Sequence, residues 1–481
     1  MFYRFFYRKP LPGTQANAAH ECMPRTIGLL ALTLIGVGST LGTGIFFAMA
    51  ETVPIAGPAV VLSFVLAALT AGLTALCFAE VATLLPVSGS SYTFTYVTLG
   101  EGAAMLVAAC LLLEWGIAGA AVAVGWSAYL NQLLEMLFGS GIPAIWREPP
   151  FEKNVAGLIW GGQGWVNLPA VAVVWLSTLL LLRGSQASAR LNAVLTALKI
   201  GVLLLFVLMT LTVFKVDHFT PFMPFGVAGV SAGAAIIFFS FVGLDSVINA
   251  SEEAINPKRN IPTAICLALV IVTIVYLAVA ISSLGVQPFE RFIGHHGALP
   301  ALLLSATQSP QASILLAIGA VISIFSVTLL TLFGQARVYF AMARDGLLPT
   351  KLARLHPKTR GPQAATLLAA VMITPLAGLL PSHVLWGMVS LGTLMAFIAV
   401  AVTLMVLRQR QAPGATGGFR VPGYPYTPLL SIASCLYLIA NLSATVFTLF
   451  AIWLTIAMLF YAAFGQRSAK QLARRQGRIA T

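Results

Sequence analysis

Residues Ile35–Phe46 read I-G-V-G-S-T-L-G-T-G-I-F. They lie in the middle of the first long apolar segment, where a membrane-crossing helix should run unbroken. Gly36, Gly38, Gly42 and Gly44 interrupt it instead, with Ser39, Thr40 and Thr43 among them. A glycine inside a helix costs roughly 1 kcal/mol against alanine. Unwound backbone at bilayer depth survives only where protein covers it or where it lines a cavity. A break here would free N–H groups around Gly42, Thr43 and Gly44, and such a helix N-terminus can hold an anion, for example a carboxylate. The alternative is an unbroken helix whose small residues, Gly38 and Gly42, form a packing face.

The rest of the chain bears on that choice. Of 481 residues 59% are hydrophobic and 9% charged, more apolar surface than a soluble core needs. Apolar runs of about twenty residues recur, the mark of a polytopic helical membrane protein. Twelve spans are expected, at 27–54, 57–84, 101–137, 168–183, 190–214, 229–254, 262–286, 312–342, 363–380, 384–407, 427–444 and 446–465. The organisation that follows is a cytoplasmic arm (1–26), a transmembrane core (27–410), a Pro/Gly-rich cytoplasmic linker (411–426), two further helices (427–465) and a basic cytoplasmic tail (466–481).

A net charge of +13 would suit a nucleic-acid partner, but its placement argues against one. With the N-terminus inside, only Arg147, Lys153, Lys215 and Arg291 fall outside and Lys199 falls within the membrane. Every other Lys and Arg is cytoplasmic, as the positive-inside rule requires. The basic tail can also meet anionic lipid. The cysteines form no external pair and no metal-ligand spacing. The N-terminus has no cleavable leader pattern, so the first span is expected to insert the chain into the cell membrane with both termini cytoplasmic.

Three charged residues stand in or near the spans. Glu80 ends the second span, near the cytoplasmic face, where solvation or a local pair is expected and a gating role is the rival. Glu114, in L-L-L-E-W-G, lies about thirteen residues into the third span, roughly 20 Å deep. It should face the bundle interior, either in a transport role or as a protonated bridge between helices. Lys199 lies about 13 Å past Arg190 in the fifth span. Desolvation there makes it a proton-carrier candidate, and a fixed cationic strut is the alternative.

The sixth span carries a second interruption, F-F-S-F-V-G-L-D-S, with Gly243 and then Asp245. Asp245 suits the N-cap of a second half-helix, and a coupling or gating role is its rival. Unwound carbonyls at Phe239, Ser240 and Val242 would accept from an ammonium group. Asn256-Pro257 is expected to close this helix on the cytoplasmic side, and a short amphipathic helix is expected between the eighth span and Gly361. Breaks in the first and sixth spans are what an inverted repeat of five plus five helices predicts. A zwitterion fits the pair: carboxylate on the first break's amides, ammonium on the second break's carbonyls.

At these residues the chain resembles the cationic amino acid transporter family, within the amino acid–polyamine–organocation superfamily. The matching stretches are G-V-G-S-T-L-G-T-G-I-F, F-A-E-V-A-T-L-L-P-V-S-G-S-S-Y, L-L-L-E-W, F-F-S-F-V-G-L-D with S-E-E-A-I-N-P-K-R-N-I-P, A-M-A-R-D-G-L-L-P, and F-R-V-P-G-Y-P-Y-T-P-L-L-S-I. The chain is similar to the bacterial twelve-helix form. The resemblance implies an all-α, LeuT-type fold with helices 1 and 6 broken. It also implies an amino acid whose carboxylate meets amides around Gly42, Thr43 and Gly44. Its amino group would meet carbonyls at Thr40, Phe239, Ser240 and Val242. Lys199 would take the place that sodium occupies in sodium-coupled relatives, so protons, or no ion, would couple transport. Thr328 in the eighth span is a candidate wall of the side-chain pocket. No cofactor or metal is implied. Helices 11 and 12 suit a scaffold or a homodimer face, and a small membrane partner is also open. The rival functions are a uniporter or exchanger of cationic amino acids, a non-transporting amino acid sensor, a channel and, least favoured, a membrane enzyme, since His295-His296 sit in an external loop.

Overall fold

The computed structural model describes residues 7–8, 25, 27–85, 90–154, 157–183, 185–244, 246–251, 254–292, 299–359, 361–380, 382–410 and 418–465. Asp245, His295-His296 and the basic tail lie outside the described residues, as do nearly all of the N-terminal arm and the first part of the linker.

The first expected span is two helices, α1 (Leu29–Thr40) and α2 (Thr43–Ala56). The chain leaves α1 through Leu41, whose N–H closes the last turn on the Val37 carbonyl, and re-enters helix after Gly42. A 3-10 turn at Gly57–Ala59 leads into α3 (Val60–Leu84). The polar connector that follows contains a helix of its own, α4 (Ser90–Thr98), before the long α5 (Glu101–Phe138). After the single turn α6 (Ala144–Arg147), the expected surface loop carries an antiparallel hairpin of β1 (Phe151–Asn154) and β2 (Gly157–Trp160). This hairpin is the one sheet among the described residues of an otherwise helical fold. Phe151 stands opposite Trp160 with the rings edge-on at 5.2 Å, an aromatic pair that closes the hairpin.

The chain continues through α7 (Leu168–Leu182), α8 (Ser185–Thr210), α9 (Gly226–Ile237), a 3-10 turn at Phe238–Phe241, and the single turn α10 (Ser246–Asn249). Then come α11 (Pro257–Val286), α12 (Leu299–Thr307), α13 (Pro310–Arg344), α14 (Gln363–Leu379), α15 (Ser382–Arg410), α16 (Tyr426–Ala440) and α17 (Ala444–Phe460). Two expectations fail here. Asn256-Pro257 opens α11 rather than closing the sixth span: Asn256 is left-handed at φ 48° and Pro257 is the first helical residue, where its missing N–H costs nothing. Among its described residues the stretch after α13 holds a 3-10 turn at Thr350–Ala353 and no α-helix, and Pro357 disfavours helix in the residue before it.

Among the described residues, eight helical stretches are long and apolar enough to cross a membrane, and α1, α7, α14 and α16 are shorter apolar helices beside them. The interior is built around α5, which packs on α13, α15, α14 and α7. Small residues permit the approach: Gly116 and Gly119 of α5 lie under Gln335 and Thr331 of α13, and Gly334 of α13 lies under the Trp115 ring.

Glu80 is neither solvated nor paired locally. It is buried and accepts from Arg408 Nε at 2.7 Å and Nη2 at 2.6 Å, and from the Val421 N–H at 2.6 Å. Arg408 also stacks over the Tyr424 ring at 4.2 Å. The end of α3, the end of α15 and the segment Gly418–Pro425 are thereby tied together.

Candidate functional site

The two interruptions meet. Gly243 sits in the second with φ +111°, a conformation that glycine alone adopts without strain. The Ser39 hydroxyl at the end of α1 lies 2.7 Å from the Gly243 carbonyl. A side chain at Gly243 would press on the Ser39 backbone. Two residues beyond α1, Gly42 lies under the methyl groups of Val327 of α13, which leave no room for a Cβ. Gly44 lies against Ser240: a Cβ there would stand 2.6 Å from the Ser240 Cα and Oγ. The glycines are therefore demanded by close approach as well as by the break.

Lys199, fully buried on α8, reaches the first break. Its ammonium donates to the Gly38 carbonyl at 2.5 Å and the Leu41 carbonyl at 2.9 Å. Those oxygens close the C-terminal end of α1, the negative end of the helix dipole, and a cation is favourable there. Across the gap, the first N–H groups of α2 have no partner one turn back within their own helix and form a positive end. The site is thus bipolar, with carbonyls and Lys199 on one side and amides on the other.

Tyr276 of α11 completes it. Its hydroxyl lies 2.6 Å from the Thr40 carbonyl and 2.8 Å from the Ser240 carbonyl, joining the two interruptions through one atom. Its ring is held between Phe64 of α3 and Phe241 of the second break, with centroids at 5.8 and 5.4 Å. The sequence reading missed this residue. The available signal was a tyrosine in mid-span, since tyrosines of membrane helices gather at the interfaces.

The remaining candidates divide. Thr40 and Ser240 converge through their carbonyls. Phe239 lies in the same turn, where its carbonyl accepts from the Val242 N–H at 3.1 Å. Thr43 begins α2 beside Gly42 and Gly44. Thr328 is buried, but its hydroxyl turns to the Ile324 carbonyl of its own helix, and its neighbour Val327 covers Gly42. Glu114 is buried on α5, where its backbone runs close to Gly392 of α15. Among the described residues no group of three His, Cys, Asp or Glu side chains is placed to hold a metal ion.

Known proteins share this arrangement of sequence. The family model described as amino acid permease matches residues 27–470. The chain belongs to the amino acid permease family. Three relatives show its breadth. The branched-chain amino acid permease BcaP of Bacillus subtilis (strain 168) is 40% identical over 455 residues, covering 95% of this chain and 96% of that protein. The methylthioribose transporter of the same organism is 37% identical over 463 residues, covering 96% and 98%. The vacuolar cationic amino acid transporter 2 of Arabidopsis thaliana is 34% identical over 411 residues, covering 83% of this chain but 62% of that longer protein. The permease is therefore a multi-pass membrane transporter, and its resemblance to the wider superfamily is borne out.

Proposed function

We propose that this permease is a secondary active amino acid transporter that works by alternating access. The observation that carries the reading is the bipolar gap. Carbonyls of Thr40 and Ser240 converge at one point, and the amide end of α2 lies beside them. That arrangement suits the ammonium and carboxylate of one α-amino acid. The valine methyls over Gly42 form an apolar wall that favours neutral aliphatic side chains, in keeping with the relative named for branched-chain amino acids. Lys199 is the proton-linked element in this reading, and both termini are cytoplasmic.

The fold proposed is the LeuT-type repeat of twelve helices. Its support is an exchange symmetry in the packing. The first span touches the seventh (α1 with α11), and the sixth touches the second (α9 with α3). The third touches the tenth (α5 with α15), and the eighth touches the fifth (α13 with α8). The fourth touches the eighth (α7 with α13), and the ninth touches the third (α14 with α5). Shifting every span by five exchanges the two contacts within each of these pairs, as expected of an inverted repeat.

Uptake into proteoliposomes tests the proposal, with labelled leucine, alanine, arginine and methylthioribose each offered with and without an inward proton gradient. Gradient-stimulated leucine and alanine uptake is expected. Arginine uptake indifferent to the gradient would favour a cationic uniporter or exchanger. Uptake of methylthioribose alone, a substrate with neither ammonium nor carboxylate, would overturn the zwitterion reading. Binding without uptake would favour a sensor.

A further inference from the structure

Ser240 stands at the meeting point of both halves of the gap. Its carbonyl faces the Thr40 carbonyl across the Tyr276 hydroxyl. Its side chain packs on Gly44 in the first turn of α2, with Oγ 2.6 Å from where a Cβ on Gly44 would stand. The residue is 1% exposed, and its hydroxyl has no hydrogen-bond partner among the described residues. The hydroxyls of Thr40, Ser39 and Tyr276 beside it each find one. The orphan donor is thus aimed at the N-terminal turn of a fourteen-residue helix, whose own first amides lack partners.

We propose that the Ser240 hydroxyl donates a hydrogen bond to the substrate carboxylate, beside the first amides of α2. This rests on the amino acid reading above and deepens it. One residue then reads both ends of the zwitterion, its carbonyl accepting from the ammonium and its hydroxyl donating to the carboxylate. A hydroxyl proton also adapts its direction, whereas the helix amides are fixed. Because the contact is to the part common to all α-amino acids, its loss weakens every substrate alike and leaves side-chain preference unchanged.

The test is equilibrium binding of labelled leucine and labelled alanine to the purified full-length chain as wild type, Ser240→Ala and Ser240→Cys. Cysteine fills the site with a thiol too weak a donor to replace the hydroxyl. A hydrogen bond to a charged group predicts Kd raised about tenfold for both substrates in both variants. If Ser240→Ala does not fold, Ser240→Cys carries the test. Wild-type affinity in both variants would overturn the assignment while the amino acid reading stands. So would a loss confined to Ser240→Ala, which signals packing, or a loss for leucine alone, which places the hydroxyl in the side-chain pocket. Failure of the wild type to bind either amino acid overturns both readings.

Discussion

Replacing Lys199 with methionine removes the two donations that close α1, to Gly38 at 2.5 Å and Leu41 at 2.9 Å, while keeping an unbranched chain in the fully buried site. Hydrogen bonds involving a charged group contribute about 1.5–3 kcal/mol each, and two carbonyls would be left buried at the negative end of a helix. The expected loss is therefore about 3–6 kcal/mol, a large share of the roughly 5–15 kcal/mol that holds a typical domain. Thermal unfolding in detergent, followed by tryptophan fluorescence, should show an apparent Tm lower by on the order of 5–10 °C. Uptake should fall and lose its dependence on pH. Lys199→Arg separates the two roles open to the residue. Arginine keeps the charge but does not release its proton. A strut would tolerate the change, whereas a proton carrier would not. Wild-type melting together with wild-type pH dependence in Lys199→Met would refute the reasoning.

Three other substitutions follow from the geometry. Gly44→Ala places a Cβ 2.6 Å from the Ser240 Cα, backbone that cannot move aside cheaply, so uptake should fall below detection even where the protein inserts and purifies. Tyr276→Phe keeps the aromatic packing and deletes the donor to Thr40 and Ser240. Stability of the substrate-free protein should drop by about 1–2 kcal/mol, and added leucine should restore more of that stability than it gives the wild type. Glu80→Ala strands a guanidinium that is four-fifths buried, a loss of about 3–5 kcal/mol for breaking such a pair. Measured beside Arg408→Ala and the double variant, the two single losses should sum to well over the double. Strict additivity would mean that the pair contributes nothing.

The glycines at 36–44 could be read from the sequence because each is costly in a membrane helix and several occur together. Lys199 and Glu114 stood out because charge in an apolar span is costly in the same way. What could not be read was which side chain meets the backbone groups expected at the two breaks. The Thr40 and Ser240 carbonyls carry no side-chain signature, so Tyr276, which reaches both, looked like one more aromatic in an apolar run. The partner of Glu80 lies 328 residues away, beyond any local pattern. The sequence offers Thr328 as a wall of the side-chain pocket, and its neighbour Val327 is the residue over Gly42. A helix face cannot be fixed to one residue without knowing which way the helix is turned. Asn256-Pro257 was read as an ending because proline punctuates helices at both ends, and only the left-handed asparagine before it decides which.

Tyr276 has one hydroxyl hydrogen and two carbonyl oxygens within reach, one from each broken helix. At any instant one of them is a donor short, and the rotor serves them by turns. A primary ammonium brings three hydrogens and would supply both oxygens at once. In the proposed reading the joint between the two half-helices would be saturated only with cargo aboard. The empty protein would be the looser and more readily rearranged of the two states, with the difference set by the number of hydrogens present.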